Sequence, residues 1–427
     1  MALTRKQFWM PVALAIQAAF GFMAVAPPAH AIPAFARKYG VKCYQCHTIP
    51  PALNKTGYLF KRLGYRLPPD EMGGSEPVPK ISYLDRHTKF TIANSTALVV
   101  QGALSLDKAD SSASRASLSL DEASLFAAGS LPRSNFSYFA QYVLYDEGKT
   151  TLERAVVGYT GGRANSSYFV KAGEMYIQEG EGTRAAMCYN LFPEPSPVLA
   201  GSNALNFSLE QHPLGVNAGY TWVSHDFKQI IAISAKVTNG LDANGKEILF
   251  DSVRNSKDLW LNADYWFGPD GGVTFIGYYG RKSQVENQGA ADEFTYRPNV
   301  RRYGIFGNYL FFDRLDVLGG YMRGRDDWKD TAYSPATGYT SNGYRAELDY
   351  YLERGFAVMT RYDRVSQAIA STRAVHTQGW GAGAEKALTQ SGNVVVRATY
   401  NQERNIDPVT DSVVRDKLFK LDLRLMW

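Results

Sequence analysis

The sequence predicts an all-β fold: a closed antiparallel β-barrel of about 16 strands, preceded by a small helical segment. Three observations predict it. From about Thr88 onward the chain repeats one pattern, a strand of about ten residues whose polar and apolar side chains alternate. Short connections alternate with long ones along that stretch. Finally, the 27 tyrosines and 38 glycines accompany strands rather than helices: beyond the N-terminus no window approaches the ~18 uninterrupted apolar residues of a membrane helix.

Met1 to Ala31 reads as a secretory leader. Arg5 and Lys6 form its charged start, Phe8 to Val25 is mostly apolar, and Ala29-His30-Ala31 fits a small-residue cleavage site. An anchoring helix is the other reading, but Pro11, Gln17 and Gly21 interrupt the stretch and Pro27-Pro28 ends it. The mature chain is expected to begin at Ile32, in an exported compartment.

Residues 32–66 hold two of the three cysteines, in Cys43-Tyr44-Gln45-Cys46-His47. In an exported chain Cys-x-x-Cys-His reads as a covalent c-type haem site. Both thiols add to haem vinyl groups, the two-residue spacer sets their separation, and the adjacent imidazole of His47 becomes an iron ligand. A redox-active pair, half of a zinc site and a plain disulfide are the other readings; the first lacks its βαβ context and the second lacks a further pair of ligands. After Pro50-Pro51 a helix is expected, with Leu53, Gly57, Phe60 and Gly64 on one face. A glycine inside a helix costs about 1 kcal/mol relative to alanine, so two on one face suggest a flat, bulky group packed against the backbone. Arg37, Lys38, Lys42, Lys55, Lys61, Arg62 and Arg66 make the segment basic, suited to haem propionates or an acidic partner. So small a segment cannot bury a core alone, and needs a cofactor or a partner surface.

Residues 67–88 read as a Pro/Gly-rich linker that keeps the haem segment at the barrel rim. Two side chains there are candidates for the sixth iron position: Met72, in Glu71-Met72-Gly73-Gly74, and His87 as the alternative. A methionine ligand would raise the potential relative to a bis-histidine pair.

Residues 89–427 are expected to form the barrel. In the last strand Phe419, Leu421, Leu423, Leu425 and Trp427 share one face, and Lys420, Asp422 and Arg424 the other. Gly and Ala mix with Tyr and Phe on the apolar faces, as in an outer-membrane barrel with aromatic girdles. Short connections are expected at Thr389 to Gly392, Glu353 to Gly355, Phe312 to Arg314 and Gly268 to Gly271; long ones at Asn405 to Arg415, Gln367 to Ala374, Asp326 to Asn342 and Ser283 to Pro298. The initial count is seventeen strands, and bacterial single-chain barrels have even numbers. Taking Ala204 to Val223 as a loop tail plus one strand gives sixteen, a size that leaves an aqueous channel. The long segment Gln178 to Asn203, with the lone Cys188 as a free thiol, is expected to be an external loop folding into the lumen. No carboxylate and histidine constellation for iron stands out; Asp121-Glu122 and Asp326-Asp327 read as lumen or loop charges.

The stretch around the cysteines resembles the haem leader of the outer-membrane fused monohaem cytochrome and porin family, whose characterised members are iron(II) oxidases. The similar positions are Ala36, Arg37, Gly40, Cys43, Cys46, His47, Pro51, Leu53, Asn54, Gly57, Phe60, Lys61, Gly64 and Tyr65. The resemblance implies one covalent haem c on Cys43 and Cys46, ligated by His47, ahead of a transmembrane barrel in the outer membrane of a Gram-negative bacterium. It also implies lipid around the barrel, extracellular Fe(II) as electron donor and a periplasmic cytochrome as acceptor. An outward conduit to external metal, or a passive solute porin with a haem-bearing plug, are the alternatives. No nucleic-acid partner is expected.

Overall fold

The computed structural model describes residues 34–49, 52–69, 78–88, 91–109 apart from 93, 114–146, 149–176, 182–186, 212–239, 257–281 apart from 269, 284–286, 294–296, 299–327, 339–369 apart from 354, 375–389, 394–407 and 412–426. The leader, Met72, Cys188 and Trp427 lie outside the described residues.

Sixteen antiparallel strands close into one barrel. They are β1 Thr96–Ala109, β2 Arg115–Ser130, β3 Phe136–Asp146, β4 Lys149–Arg163, β5 Ser166–Glu174, β6 Leu214–Val223, β7 Ile230–Asn239 and β8 Lys257–Phe267. After them come β9 Gly271–Arg281, β10 Asn299–Phe311, β11 Leu315–Asp327, β12 Tyr339–Glu353, β13 Phe356–Ile369, β14 Val375–Ala387, β15 Val394–Asp407 and β16 Ser412–Met426. Each pairs with the next, and β16 closes on β1 from Asp416↔Ala109 to Met426↔Val99. Within Ala204 to Val223 the described residues carry one strand, as expected: β6, Leu214–Val223, joined to β7 by the short turn that begins at Ser224.

Several strands outrun the lipid-facing pattern. β15 and β16 remain paired out to Asp407↔Ser412, through most of the stretch expected to be a loop from Asn405 to Arg415. The backbone ladder does not require apolar side chains, so pairing continues where hydrophobic alternation stops.

Alternation sets the two faces of the wall. On β7, Ala232, Ser234, Lys236 and Thr238 are buried inward, while Ile231, Ile233 and Val237 are exposed outward. Inward charges are paired across neighbouring positions, as in Arg361–Asp363 at 2.7 Å and Arg397–Glu385 at 2.6 Å. The longest connections, residues 175–213, 240–256, 282–298 and 328–338, all leave the same end of the barrel, where residues 147–148 and 408–411 also make short ones, and the opposite end carries short turns throughout.

The N-terminal segment folds as α1 Ala34–Tyr39, a 3-10 turn at Cys43–Gln45, a small hairpin pairing His47–Ile49 with Ala52–Leu53, and α2 Lys55–Arg62. The second half of the expected linker is docked instead of spanning space. Ala164 N donates to Pro79 O at 3.0 Å, and Ile81 is fully buried with Leu59, Leu63 and Trp266. An apolar side chain placed next to the lumen wall is drawn into it.

Candidate functional site

Cys43 and Cys46 lie on one tight turn, closed by Cys46 N donating to Cys43 O at 3.1 Å. Both thiols are free and partly accessible, and His47 follows directly at the start of the hairpin. Burial pushes both thiols up; for Cys46, burial and then the nearby Cys43 raise it to about 11. The pair is therefore held in the neutral form at ordinary pH, which keeps nucleophilic thiolate chemistry low.

Asn54 fastens this turn to α2. Its backbone N–H donates to Cys46 O at 3.0 Å, its side-chain amide donates to Gln45 O at 3.2 Å, and its side-chain oxygen accepts from Gly57 N at 2.9 Å as the helix N-cap. Gly57 then explains itself: a methyl group at this position would overlap the Cys46 carbonyl and crowd Leu53. Gly64 has a different cause. It adopts φ +65° just past the helix, where Gly64 N donates to Lys61 O at 3.2 Å and Tyr65 N to Phe60 O at 2.9 Å, a Schellman end. The two glycines expected to face a flat group thus serve backbone contact and helix termination. Gly57→Ala is expected to push the turn off the helix at a cost of about 1–3 kcal/mol, the range for overpacking, and to expose residues 34–66 to trypsin; wild-type protease resistance would contradict this role.

Haem c is the group whose fit is at issue. Two unbonded thiols two residues apart on one turn, an imidazole immediately after them, and a helix that holds the turn through Asn54 and Gly57 suit covalent attachment with one protein nitrogen on iron. The donor chemistry fits.

The basic residues of the segment anchor it in the short-turn mouth of the barrel. Lys55 Nζ donates to Lys228 O at 3.0 Å and to Gly268 O, and its backbone N–H donates to Asp270 Oδ1 at 3.0 Å. Arg62 reaches Thr221 Oγ1 at 3.0 Å and the carbonyls of Tyr220 and Ile233 at 3.1 Å, with its guanidinium over Phe169. Tyr58 donates to Asp264 Oδ2 at 2.7 Å and packs on Trp266, ring centroids 5.1 Å apart. On the other side Arg66 donates to Ser134 O at 2.9 Å and Phe136 O at 3.0 Å. Buried Asp85 lies 3.6 Å from Arg66 Nε and 3.8 Å from Lys38 Nζ. Gly355, at φ +78°, leaves room for the Tyr44 hydroxyl. Lys38, Lys55, Arg62 and Arg66 are thus engaged with the barrel, where the sequence suggested propionates or an acidic partner.

From the opposite end, residues 182–186 of the long β5–β6 connection reach the same place. Thr183 N donates to Thr274 Oγ1 at 2.7 Å, and Ala185 and Ala186 are buried with Trp260, Ile276 and Phe306. Arg184 forms ion pairs with Asp316, Nε to Oδ2 2.6 Å, and with Asp270 Oδ2. The loop expected to enter the lumen does so in its described part. Asp270 joins it to α2, with one carboxylate oxygen on each.

Among the predicted residues, Cys43, Cys46 and His47 come together in one turn. His87 is exposed, and its Nε2 accepts from Arg86 Nε at 2.8 Å. Asp270, Arg184 and Asp85 were not singled out from the sequence; Asp270 stood in a Gly-Pro-Asp-Gly turn, where an aspartate is ordinary.

No family model and no curated protein matches the chain. Solved structures do. OmpT of Vibrio cholerae in its trimer form matches with TM-score 0.53 and 12% identity over 78% of this chain and 99% of that one. Its loop L8 deletion mutant gives TM-score 0.55 at 12% identity, over 78% and 99%. The anion-selective porin from Comamonas acidovorans gives TM-score 0.54 at 9% identity, over 78% and 98%. The class defined is a 16-strand barrel with the fold of outer-membrane porins.

Proposed function

We propose that the chain is an outer-membrane monohaem cytochrome and porin fusion, carrying electrons from extracellular Fe(II) to a periplasmic cytochrome. The supporting observation is placement: the Cys43–His47 turn is fixed by Asn54, Gly57 and Lys55 inside the short-turn mouth, which in outer-membrane barrels is the periplasmic one. Haem c held by Cys43, Cys46 and His47 would supply one-electron redox chemistry at that mouth. The chain's own residues hold the turn, narrow the lumen around it and keep water from its anchoring carboxylates. The balance is simple: Fe(II) becomes Fe(III) outside, and one electron reduces the cytochrome inside.

For the sixth iron position we propose Met72 ahead of His87, since the His87 ring is already engaged by Arg86 at the surface. The fold likeness also supports a second reading, a passive porin with a haem-bearing plug. Purified protein in liposomes separates the two. With oxidised cytochrome c inside and Fe(II) outside, an electron carrier reduces the trapped cytochrome without releasing it or admitting solutes. A passive porin admits solutes freely and leaves the cytochrome oxidised when Fe(II) is presented as a complex too large to enter.

A further inference from the structure

Where the loop meets the plug, the lumen wall carries one carboxylate more than the nearby cations account for. Asp316 on β11 and Asp349 on β12 lie directly opposite each other across the ladder, both turned into the lumen, at 0% and 2% exposure. Side chains so placed have Cβ atoms about 4.5–5.5 Å apart, and like charges there are destabilising. Arg184, from residues 182–186, pairs with Asp316 and with Asp270 of the β8–β9 turn. Arg345, on β12 itself, pairs with Glu347. On β13, Arg361 and Asp363 pair with each other at 2.7 Å. Lys55, from α2, places its ammonium on the carbonyls of Lys228 and Gly268. Four carboxylates, Asp270, Asp316, Glu347 and Asp349, thus face the three cations Arg184, Arg345 and Lys55. Asp349 is the one left over: among the described residues no cation stands within ion-pair distance of it, and Arg184 and Arg345 act on it from farther away.

Asp349 Oδ1 is buried without a hydrogen-bond partner, and so is Asp316 Oδ1. Among the described residues no three carboxylate, imidazole or thiol side chains are grouped to hold a metal ion. The ligand this geometry suits is a proton, since two carboxylates this close share a proton more readily than they share negative charge. The cysteine turn rests on the same part of the wall. The Tyr44 hydroxyl sits against Gly355, and Thr48, directly after His47, lies beside Tyr351. Asp349 is the next inward residue on β12 beyond Tyr351, about 6.6 Å further into the lumen.

We propose that Asp349, with Asp316 opposite, is the proton acceptor linked to reduction of the haem held by Cys43, Cys46 and His47. The inference rests on the haem reading proposed above. One electron from Fe(II) adds a negative charge beside a wall that already has a carboxylate in excess. Asp349 offsets it by taking one proton from solvent, and returns that proton when the electron passes to the periplasmic cytochrome. Ionised Asp349 favours the oxidised, more positive state and so lowers the potential; protonated Asp349 does not.

The test is a potentiometric titration of the full, haem-loaded chain in nonionic detergent, repeated from about pH 4 to about pH 9, the span over which ordinary and buried carboxylates titrate. The wild-type midpoint potential is expected to fall as pH rises, its slope approaching about 59 mV for each tenfold drop in proton concentration, the value for one proton per electron. Asp349→Asn stays neutral at every pH, so its potential should match wild type at the acid end, lie above it at the alkaline end and lose most of the slope. Asp349→Glu should restore the slope. A slope unchanged by Asp349→Asn, or a wild-type potential indifferent to pH, would overturn the proposal. Should the asparagine variant not assemble, the infrared difference spectrum of wild type on reduction decides: a carbonyl band of a protonated carboxyl that grows in and shifts in deuterated water supports the proposal, and its absence ends it. Covalent haem measured on the same sample separates the two levels. A chain without haem ends the haem reading and this inference with it, whereas a haem-bearing chain whose potential ignores pH ends only the proton site.

Discussion

Replacing Cys43 and Cys46 together by alanine is expected to take covalent haem from one per chain to none, while the barrel still assembles. In the proposed site each thiol would make one thioether bond, so either single variant should retain at most a weakly stained, unstable adduct. The barrel should survive because its closure rests on ladders such as β16 to β1, which the turn does not touch. The measurement is peroxidase staining after denaturation, beside the heat-dependent gel mobility of a folded barrel. Stain that persists in the double variant would sink the haem assignment. His47→Ala should keep the covalent link and change the oxidised and reduced spectra. For the sixth position, the charge-transfer band that methionine sulfur gives oxidised haem should vanish in Met72→Ala; a spectrum altered by His87→Ala and indifferent to Met72→Ala would reverse the proposed order.

How much of this was legible before the fold was seen depends on the range of the interaction. Strand alternation is local, so the all-β barrel and its sixteen strands could be read from patterns such as Phe419 to Trp427 and from short turns like Phe312 to Arg314. The cysteine pair with His47 is local too. The fastening of that turn was only half legible. Asn54 and Gly57 stand close to Cys46 in sequence, yet their contact depends on a hairpin bringing residue 46 back against the first turn of α2. Glycine spacing suggested a shared helix face; the helix ends at Arg62, so Gly64 belongs to its exit. The barrel partners were not legible at all. Lys55 and Asp270 are 215 residues apart, and Arg184 and Asp270 are 86 apart. Nothing periodic or spaced marks such pairs, because a closed sheet decides which strand ends face each other.

The largest structural effect is expected at Asp270. One carboxylate oxygen receives the first N–H of α2 from Lys55, and the other pairs with Arg184, while the Asp270 backbone carbonyl accepts from Asn308 Nδ2 at 3.1 Å. All of this is buried, so Asp270→Ala removes the acceptor of the first N–H of α2 and strips Arg184 of one carboxylate partner, leaving it paired with Asp316. Breaking a buried ion pair from one side costs about 3–5 kcal/mol, since the remaining charge is left without full compensation. The cost falls where segments entering from both ends of the barrel meet, so it should loosen them before it threatens the wall. Trypsin should then cut at the lysines and arginines of residues 34–66, which wild type protects, and conductance in planar bilayers should rise. Asp270→Asn separates the parts: its amide oxygen can still accept from Lys55 N, so α2 should stay protected while the Arg184 segment is freed. Arg184→Gln should resemble Asp270→Asn, because Lys55, Tyr58 and Arg62 still hold the plug. If Asp270→Ala shows wild-type protease resistance and conductance, the carboxylate is not the joint between loop and plug, and the remaining contacts of Arg62 and Arg66 suffice to hold the turn in the mouth.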